Sequence, residues 1–224
     1  MITVVGGTKG GSGKSTVATN LTVMLAAAGR DVLLVDADDQ ETASDFTNLR
    51  NDTRSDGAGY TCIQLIGKAV YTETKRLAAK YQDIVIDTGG RDTASQRAAL
   101  SVCDIYLVPF VPRSFDVWTL DKVSRLIEEV RTVNPHFRAL AFLNRADPRG
   151  ADNAGASEYL RGAEALTFID TPLGNRKAFP NAASQGLAVT ELRPVDVKAA
   201  EEMQILIGYL LDIKNISSNM PEAV

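Results

Sequence analysis

Thr8-Lys9-Gly10-Gly11-Ser12-Gly13-Lys14-Ser15-Thr16 follows directly on the apolar run Ile2-Thr3-Val4-Val5. A glycine-rich turn placed after a strand and before a helix is built to hold phosphate. The glycines let the backbone turn with its N–H groups facing inward. Lys14 supplies a mobile positive charge for β- and γ-phosphates, and Ser15 supplies a hydroxyl for Mg²⁺. The helix that follows points its positive end at the same anion. A Gly-rich turn by itself is often a plain loop; the strand before it and the helical pattern after it favour phosphate.

An ordinary phosphate-binding loop of this type has a glycine at position 8, where this chain has Thr8. It carries a second lysine instead, Lys9, five residues before Lys14. Lys-Gly-Gly-x-Gly-Lys-Ser/Thr resembles the deviant Walker A motif of the ParA/MinD family of ATPases. That resemblance implies ATP with Mg²⁺ as cofactors and a nucleotide site made of Lys9, Gly10, Gly11, Ser12, Gly13, Lys14, Ser15 and Thr16.

The remaining chain supports one nucleotide-binding domain over 1–224, with a polar tail from about residue 215. At 224 residues and 45% hydrophobic content there is enough material for a large core. The formal net charge is −4, so no global basic field draws the protein to nucleic acid, and any DNA contact needs a local patch. Cys62 and Cys103 sit in apolar runs, which fits packing better than a disulfide framework or a four-ligand metal site. His136 is the single histidine and falls in a turn-like Asn134-Pro135-His136, so Ser-His-Asp chemistry and His-based zinc sites lack support. The N-terminal apolar run breaks at Gly6-Gly7, unlike a secretory signal, and no stretch approaches the roughly 20 apolar residues that cross a bilayer. A cytoplasmic protein is expected.

Apolar runs at Ile2–Val5, Val32–Val35, Ile84–Ile86, Ile105–Val108 and Leu140–Leu143 read as strands buried on both faces. Strands are also expected at Tyr60–Ile66 and Leu166–Ile169, and a polar stretch at 48–59. Val17, Leu21, Met24, Leu25 and Ala28 repeat at helical spacing until Gly29. Further helices are expected near Thr72–Lys80, Phe115–Val130 and Val195–Ile213. Strands alternating with helices predict an α/β fold, a doubly wound and mainly parallel sheet flanked by helices, of the P-loop NTPase type. Ligands in such folds bind at the carboxyl ends of strands, where Gly6, Asp36, Asp87, Pro109 and Asn144 lie.

Carboxylates at strand ends bind Mg²⁺ through water or orient an attacking water, and equally occur as solvated acidic turns. Asp36-Ala37-Asp38-Asp39-Gln40 resembles the Asp-x-Asp-Pro-Gln segment of the ParA family, with Asp39 in place of proline. On that resemblance Asp38 orients the water, Asp36 supports the Mg²⁺ site, and Gln40 belongs to the same switch. Asp83 to Gly90 looks like a Walker B strand and its switch loop. An aspartate closing a buried apolar strand is costly without a cation or hydrogen bonds, so Asp87 is a metal candidate with Ser15 and Asp36. Gly89-Gly90 stands where the family often has prolines. Asn144 matches an asparagine that contacts adenine in similar ATPases, and is equally an ordinary strand-end turn residue.

In the ParA/MinD family the lysine matching Lys9 crosses a dimer interface to the partner's nucleotide. The resemblance therefore implies catalytic roles for Lys9, Lys14 and Asp38, and an ATP-state homodimer that hydrolysis loosens. MinD-like members end in a basic amphipathic membrane helix. This chain ends in Asn215 to Val224, polar and interrupted by Pro221, so no membrane partner is expected. A phosphate loop within ten residues of Met1 resembles the short ParA class, which segregates or positions plasmid, chromosome or other cargo on non-specific DNA at the nucleoid. A ParB-like or adaptor protein is then the expected partner, and hydrolysis is slow and partner-stimulated. Arg176, Lys177, Arg193 and Lys198 match the family's C-terminal DNA-contact region; between Gly174 and Lys198 there are four basic and two acidic residues. The alternatives are a metabolic ATP-dependent ligase of the dethiobiotin-synthetase type and a regulatory ATP-binding module.

Overall fold

The computed structural model describes residues 1–112, 119–147 and 151–218. Among these, eight strands form one sheet: β1 (Ile2–Val5), β2 (Val32–Ala37), β3 (Thr61–Gln64), β4 (Asp83–Thr88), β5 (Ile105–Phe110), β6 (Arg138–Ala146), β7 (Thr167–Phe168) and β8 (Leu173–Gly174). Their order is β3-β2-β4-β1-β5-β6-β7, with β8 pairing β6, and every pairing is parallel. The expected doubly wound sheet is thus the observed one.

The apolar runs form strands because both faces are covered. Period-2 alternation sends Val4, Leu33, Val35, Ile84, Ile86 and Tyr106 to one core. It sends Val5, Leu34, Val85, Ile105, Leu107 and Phe142 to the other. β1 sits between β4 and β5: the chain runs from β1 to β2 and β3 on one side, returns to β4, and then crosses to β5 and β6 on the other. That is a topological switch point, and it opens a crevice at the carboxyl end of β1.

Eight helices are described: α1 (Lys14–Ala27), α2 (Thr42–Thr53), α3 (Lys68–Leu77), α4 (Ala94–Leu100), α5 (Leu120–Arg131), α6 (Asp152–Arg161), α7 (Ala178–Ala183) and α8 (Val197–Ser218). Helix α1 is buried around most of its circumference, polar residues included. Those polar groups satisfy themselves locally: Thr19 Oγ1 donates to the Ser15 carbonyl, Asn20 Nδ2 to Thr16 and Thr22 Oγ1 to Ala18, each at 2.8 Å. Gly29, at φ 77, ends the helix as expected.

Several boundaries differ from the sequence reading. The strand expected at Tyr60–Ile66 contracts to β3, and the helix expected at Thr72–Lys80 starts earlier, at Lys68. The expected helix from Phe115 begins partly outside the described residues, and α5 starts at Leu120. Helix α8 runs on to Ser218, into the expected polar tail, whose remainder lies outside the described residues. The stretch read as polar at 48–59 contains the second half of α2.

Helix α2 is hidden in the sequence because its buried face, Ala43, Phe46, Thr47 and Arg50, is half polar, and an ion pair from Arg50 to the half-buried Glu191 helps dock it. Arg50, 4% exposed, donates to Glu191 through Nη1 at 2.7 Å and Nη2 at 2.8 Å. Its remaining donors reach the carbonyls of Ala58 and Gly186 at 2.9 Å. Gly186 packs so closely that a Cβ there would lie 2.7 Å from the Arg50 backbone. Burial opposes ionisation of Glu191, but the bond from Arg50 and the Ala188 N–H outweigh it and hold the carboxyl below its usual value. Removing one partner strands the other's charge. Glu191→Gln should therefore lower stability by about 2–4 kcal/mol in urea unfolding. The paired change Arg50→Met with Glu191→Leu should cost less than that single change.

Candidate functional site

The phosphate loop leaves β1 and enters α1 through residues in left-handed conformations that favour glycine, Gly11 at φ 76 and Gly13 at φ 87. Gly13 is also needed for space, because a Cβ would meet Asn144 Nδ2 at 2.4 Å. Asn144, at the end of β6, donates to the Ser12 carbonyl at 2.6 Å and braces the loop from the side. Lys14 is 6% exposed, and its Nζ donates to the Lys9 carbonyl at 3.1 Å, so the loop closes around its own lysine. Burial lowers the Lys14 pKa, while Asp87 and Asp38 act in the opposite direction.

Strand register brings the carboxylates to this loop. Asp87 pairs in register with Val5 on one side and Asp36 on the other. It is fully buried, and neither carboxylate oxygen has a hydrogen-bond partner at full bonding geometry. Burial pushes its carboxyl up to about 7; the Ser15 hydroxyl and Lys14 pull it down, while Asp36 and Asp38 push it further up.

Asp36 is buried too, but satisfied. Its Oδ1 accepts from the Asp38 N–H at 3.2 Å and its Oδ2 from Ser44 N–H at 2.8 Å. It thereby ties the 38–40 turn to the first turn of α2. Asp38 accepts from the Gln40 N–H at 3.3 Å and faces Gly89, where a Cβ would lie 3.0 Å from Asp38 Oδ1. Gly90 lies against the phosphate loop itself: a Cβ there would sit 2.6 Å from the Gly10 nitrogen. The structure thus brings Lys14, Ser15, Asp36, Asp38, Asp87 and Asn144 to one crevice, together with a Gly90 contact that only the Gly-Gly pair hinted at.

These residues fit a Mg²⁺ bound with nucleotide. Ser15 offers a hydroxyl and Asp87 an unpartnered carboxylate, while no group of three His, Cys, Asp or Glu among the described residues could cage a cation alone. Mg²⁺ ordinarily takes one or two protein ligands and leaves the rest to phosphates and water.

Beside the loop, a cleft of about 430 Å³ is lined by Gly13, Thr16, Asn144, Arg145, Lys177 and Phe179 among others. Arg145 sits within the register shift of β6 between Asn144 and Ala146, at φ 54, a conformation that costs a non-glycine residue. Of the four basic residues singled out in the sequence, Lys177, Arg193 and Lys198 are exposed. Arg176 is not free: its guanidinium binds Glu202 at 2.6–3.1 Å, and Glu202 also accepts from the Gly174 N–H. Its charge is spent joining β8 to α8, a pairing that a linear count of charges does not reveal.

Asp87 gives the apoprotein a pH signature. Its folded pKa is raised to about 7 from 3.8, so the folded state holds its proton longer. Stability is full below about 4, falls as pH rises through the interval up to about 7, and stays low above it, by up to about 4 kcal/mol. Asp87→Asn should raise the apoprotein Tm at pH 8 and leave it nearly unchanged at pH 4. Scanning calorimetry of both proteins across that range is the measurement.

Comparison with known proteins agrees with this geometry. Residues 3–189 match the model of the CobQ/CobB/MinD/ParA nucleotide binding domain. The chain is 27% identical over 207 residues to maintenance of carboxysome distribution protein A of Halothiobacillus neapolitanus, covering 91% of this chain and 93% of that protein. It is 31% identical over 196 residues to the protein of the same name from Gloeobacter kilaueensis, covering 86% and 85%. The fold also resembles the Cyanothece McdA–ATP complex, with a TM-score of 0.75 at 19% identity over 93% of this chain and 96% of that one. A match spanning most of the chain, on a loop and strand ends that assemble as the motif demands, places the protein in the CobQ/CobB/MinD/ParA family of nucleotide-binding domains.

Proposed function

We propose that this chain is a ParA-type ATPase that positions a cellular cargo. The observation that carries the nucleotide chemistry is Asp87, a buried carboxylate with no hydrogen-bond partner at full bonding geometry, beside Ser15 and Lys14. Such a group destabilises the empty site and is satisfied when cation and nucleotide arrive together. The positioning role is favoured by the two relatives named for carboxysome distribution, each aligned over most of its length.

In this mechanism Lys14 and the first N–H groups of α1 hold the β- and γ-phosphates. Mg²⁺, held by Ser15 and Asp87 with Asp36 behind them, would supply charge neutralisation on those phosphates when bound. Asp38 orients the attacking water. Its closeness to the loop after β4, where a Cβ on Gly89 would lie 3.0 Å from Asp38 Oδ1, supports that role. Asn144 borders the cleft that would take the adenosine. Turnover is slow until a ParB-like or adaptor protein engages.

Lys9 lies in the same loop, with its carbonyl engaged by Lys14. Two nucleotides buried face to face repel, and a lysine from each subunit offsets that repulsion. Lys9→Ala should bind a slowly hydrolysed ATP analogue as the parent does, yet remain monomeric. Calorimetry and light scattering separate the two properties, and a variant that dimerises normally removes Lys9 from the interface.

The protein works in the cytoplasm at the nucleoid, where the dimer binds DNA without sequence preference. Among the described residues no helix is long and apolar enough to cross a membrane. With Arg176 committed to Glu202, the DNA-contact candidates are Lys177, Arg193 and Lys198, only three cations per subunit. Dimerisation would double them. Each neutralised phosphate adds about 0.9 to the slope of log affinity against log salt. Fluorescence anisotropy with unrelated duplexes should show binding with ATP, little with ADP, and a uniform loss of affinity for Arg193→Glu. Equal binding in both nucleotide states would refute the DNA-track mechanism.

A further inference from the structure

Gln96 is completely buried on α4, a position where an apolar side chain would be the ordinary choice. The amide orientation that pairs every donor with an acceptor has three partners. Nε2 donates to the Arg91 carbonyl at 2.7 Å, and Oε1 accepts from the Tyr106 hydroxyl at 2.9 Å and the Gly7 N–H at 3.3 Å. Each partner belongs to a different part of the site. Gly7 opens the phosphate loop, Arg91 lies in the loop after β4, and Tyr106 is a fully buried residue of β5.

The surroundings leave this amide little freedom. A Cβ on Gly6 would lie 2.7 Å from Thr88 Oγ1, 2.8 Å from Tyr106 Cε2 and 3.2 Å from the Gln96 side-chain amide, its oxygen in this orientation. Thr88 Oγ1 donates to the Val5 carbonyl at 3.3 Å. Burial pushes the Tyr106 phenol well above its usual pKa, so it stays protonated and serves as a donor. On the outer side, Arg97 holds Asp92 through two bonds of 2.6 and 2.7 Å, but that pair is exposed and therefore weak. The inner grip on the loop is the dry one, where each bond counts for more.

We propose that Gln96, itself held by Tyr106, is a positioning residue: it fixes the Gly89–Arg91 loop against the phosphate loop and so sets where Gly89 and Gly90 stand relative to the terminal phosphate. The proposal rests on the ATP-hydrolysis reading for its kinetic consequence, though not for its structural one. It accounts for why α4, only seven residues long, carries a buried amide. A leucine could fill the space, but it could not bind two loops and the sheet at once. The side chain need not touch nucleotide. It acts through the Arg91 carbonyl on a backbone whose glycines would otherwise roam.

The test uses Gln96→Met, which keeps length and removes all three bonds, and Tyr106→Phe, which removes one hydroxyl and keeps the ring. For Gln96→Met, affinity for a slowly hydrolysed ATP analogue should stay within about 3-fold of the parent, because Lys14 and the glycines are intact. The kcat should fall about 10-fold or more with KM little changed. Hydrogen exchange at residues 89–92 in the analogue complex should accelerate about 10-fold while α1 exchanges as before. Tyr106→Phe should give about 3-fold effects on both readouts. The double variant should be no worse than Gln96→Met, since both act through one amide. Unchanged kcat and unchanged exchange in Gln96→Met overturn the proposal, as does faster exchange spread evenly over the whole chain. If Gln96→Met does not fold, Tyr106→Phe decides, and parental exchange at residues 89–92 overturns it. A parent without any turnover counts against the hydrolysis reading alone, because exchange still reports whether Gln96 holds the loop.

Discussion

Asp87 occupies the place where a protein can least tolerate an unpaired charge, the end of a central strand under two layers of helix. Strand β4 runs Ile84-Val85-Ile86 into it, and its neighbours in register are Val5 and Asp36. Asp36 escapes the same cost by accepting two backbone N–H groups. Asp87 has no such relief, so its proton is retained to about pH 7 in the empty site. A charge left wanting beside Ser15 and Lys14 is a device for coupling fold to ligand. A buried carboxylate of this kind is costly until a cation or hydrogen bonds satisfy it, which is the condition the proposed nucleotide site would relieve.

The rest of the crevice is arranged so that this event is felt elsewhere. Asp36 links the Asp38–Gln40 turn to α2 through Ser44. Helix α2 then reaches Glu191 through Arg50, and the 186–191 segment carries on toward Arg193 and α8. Asn20 of α1 also holds this segment, accepting from the Val189 N–H at 2.9 Å. Two elements that touch the phosphate region therefore converge on one stretch of backbone. Lys198 precedes Glu202 by one helical turn, and Glu202 holds the neighbour of Lys177.

How far the sequence could disclose this depends on what stabilises each element. Strands β1, β2, β4 and β5 were legible because burial on both faces writes itself as unbroken apolar runs. The phosphate loop was legible because only glycine tolerates its backbone and only a lysine its charge. Helix α2 was not, since a buried Arg50 looks like surface until Glu191, 141 residues away, is placed beside it. The same limit hid the partner of Arg176, which pairs with Glu202 across 26 residues. Gln96 was invisible for a related reason: an amide in a short polar stretch shows no pattern, and its meaning comes from Gly7 and Tyr106. Local periodicity reports burial, whereas pairing between distant charges is a property of topology alone.

The loss of Arg176 from the exposed set sharpens the electrostatic case rather than weakening it. A chain of net charge −4 with three exposed cations near one junction is a poor polyanion ligand as a monomer. In the proposed ATP-state dimer the phosphate contacts would double, and because each adds to log affinity, attachment would become conditional on the ATP state. The same logic applies inside the site, where Asp87 makes the empty state unfavourable. Under the proposed cycle, both the acidic balance of the chain and the unsatisfied Asp87 carboxylate would leave the nucleotide to decide between the two states.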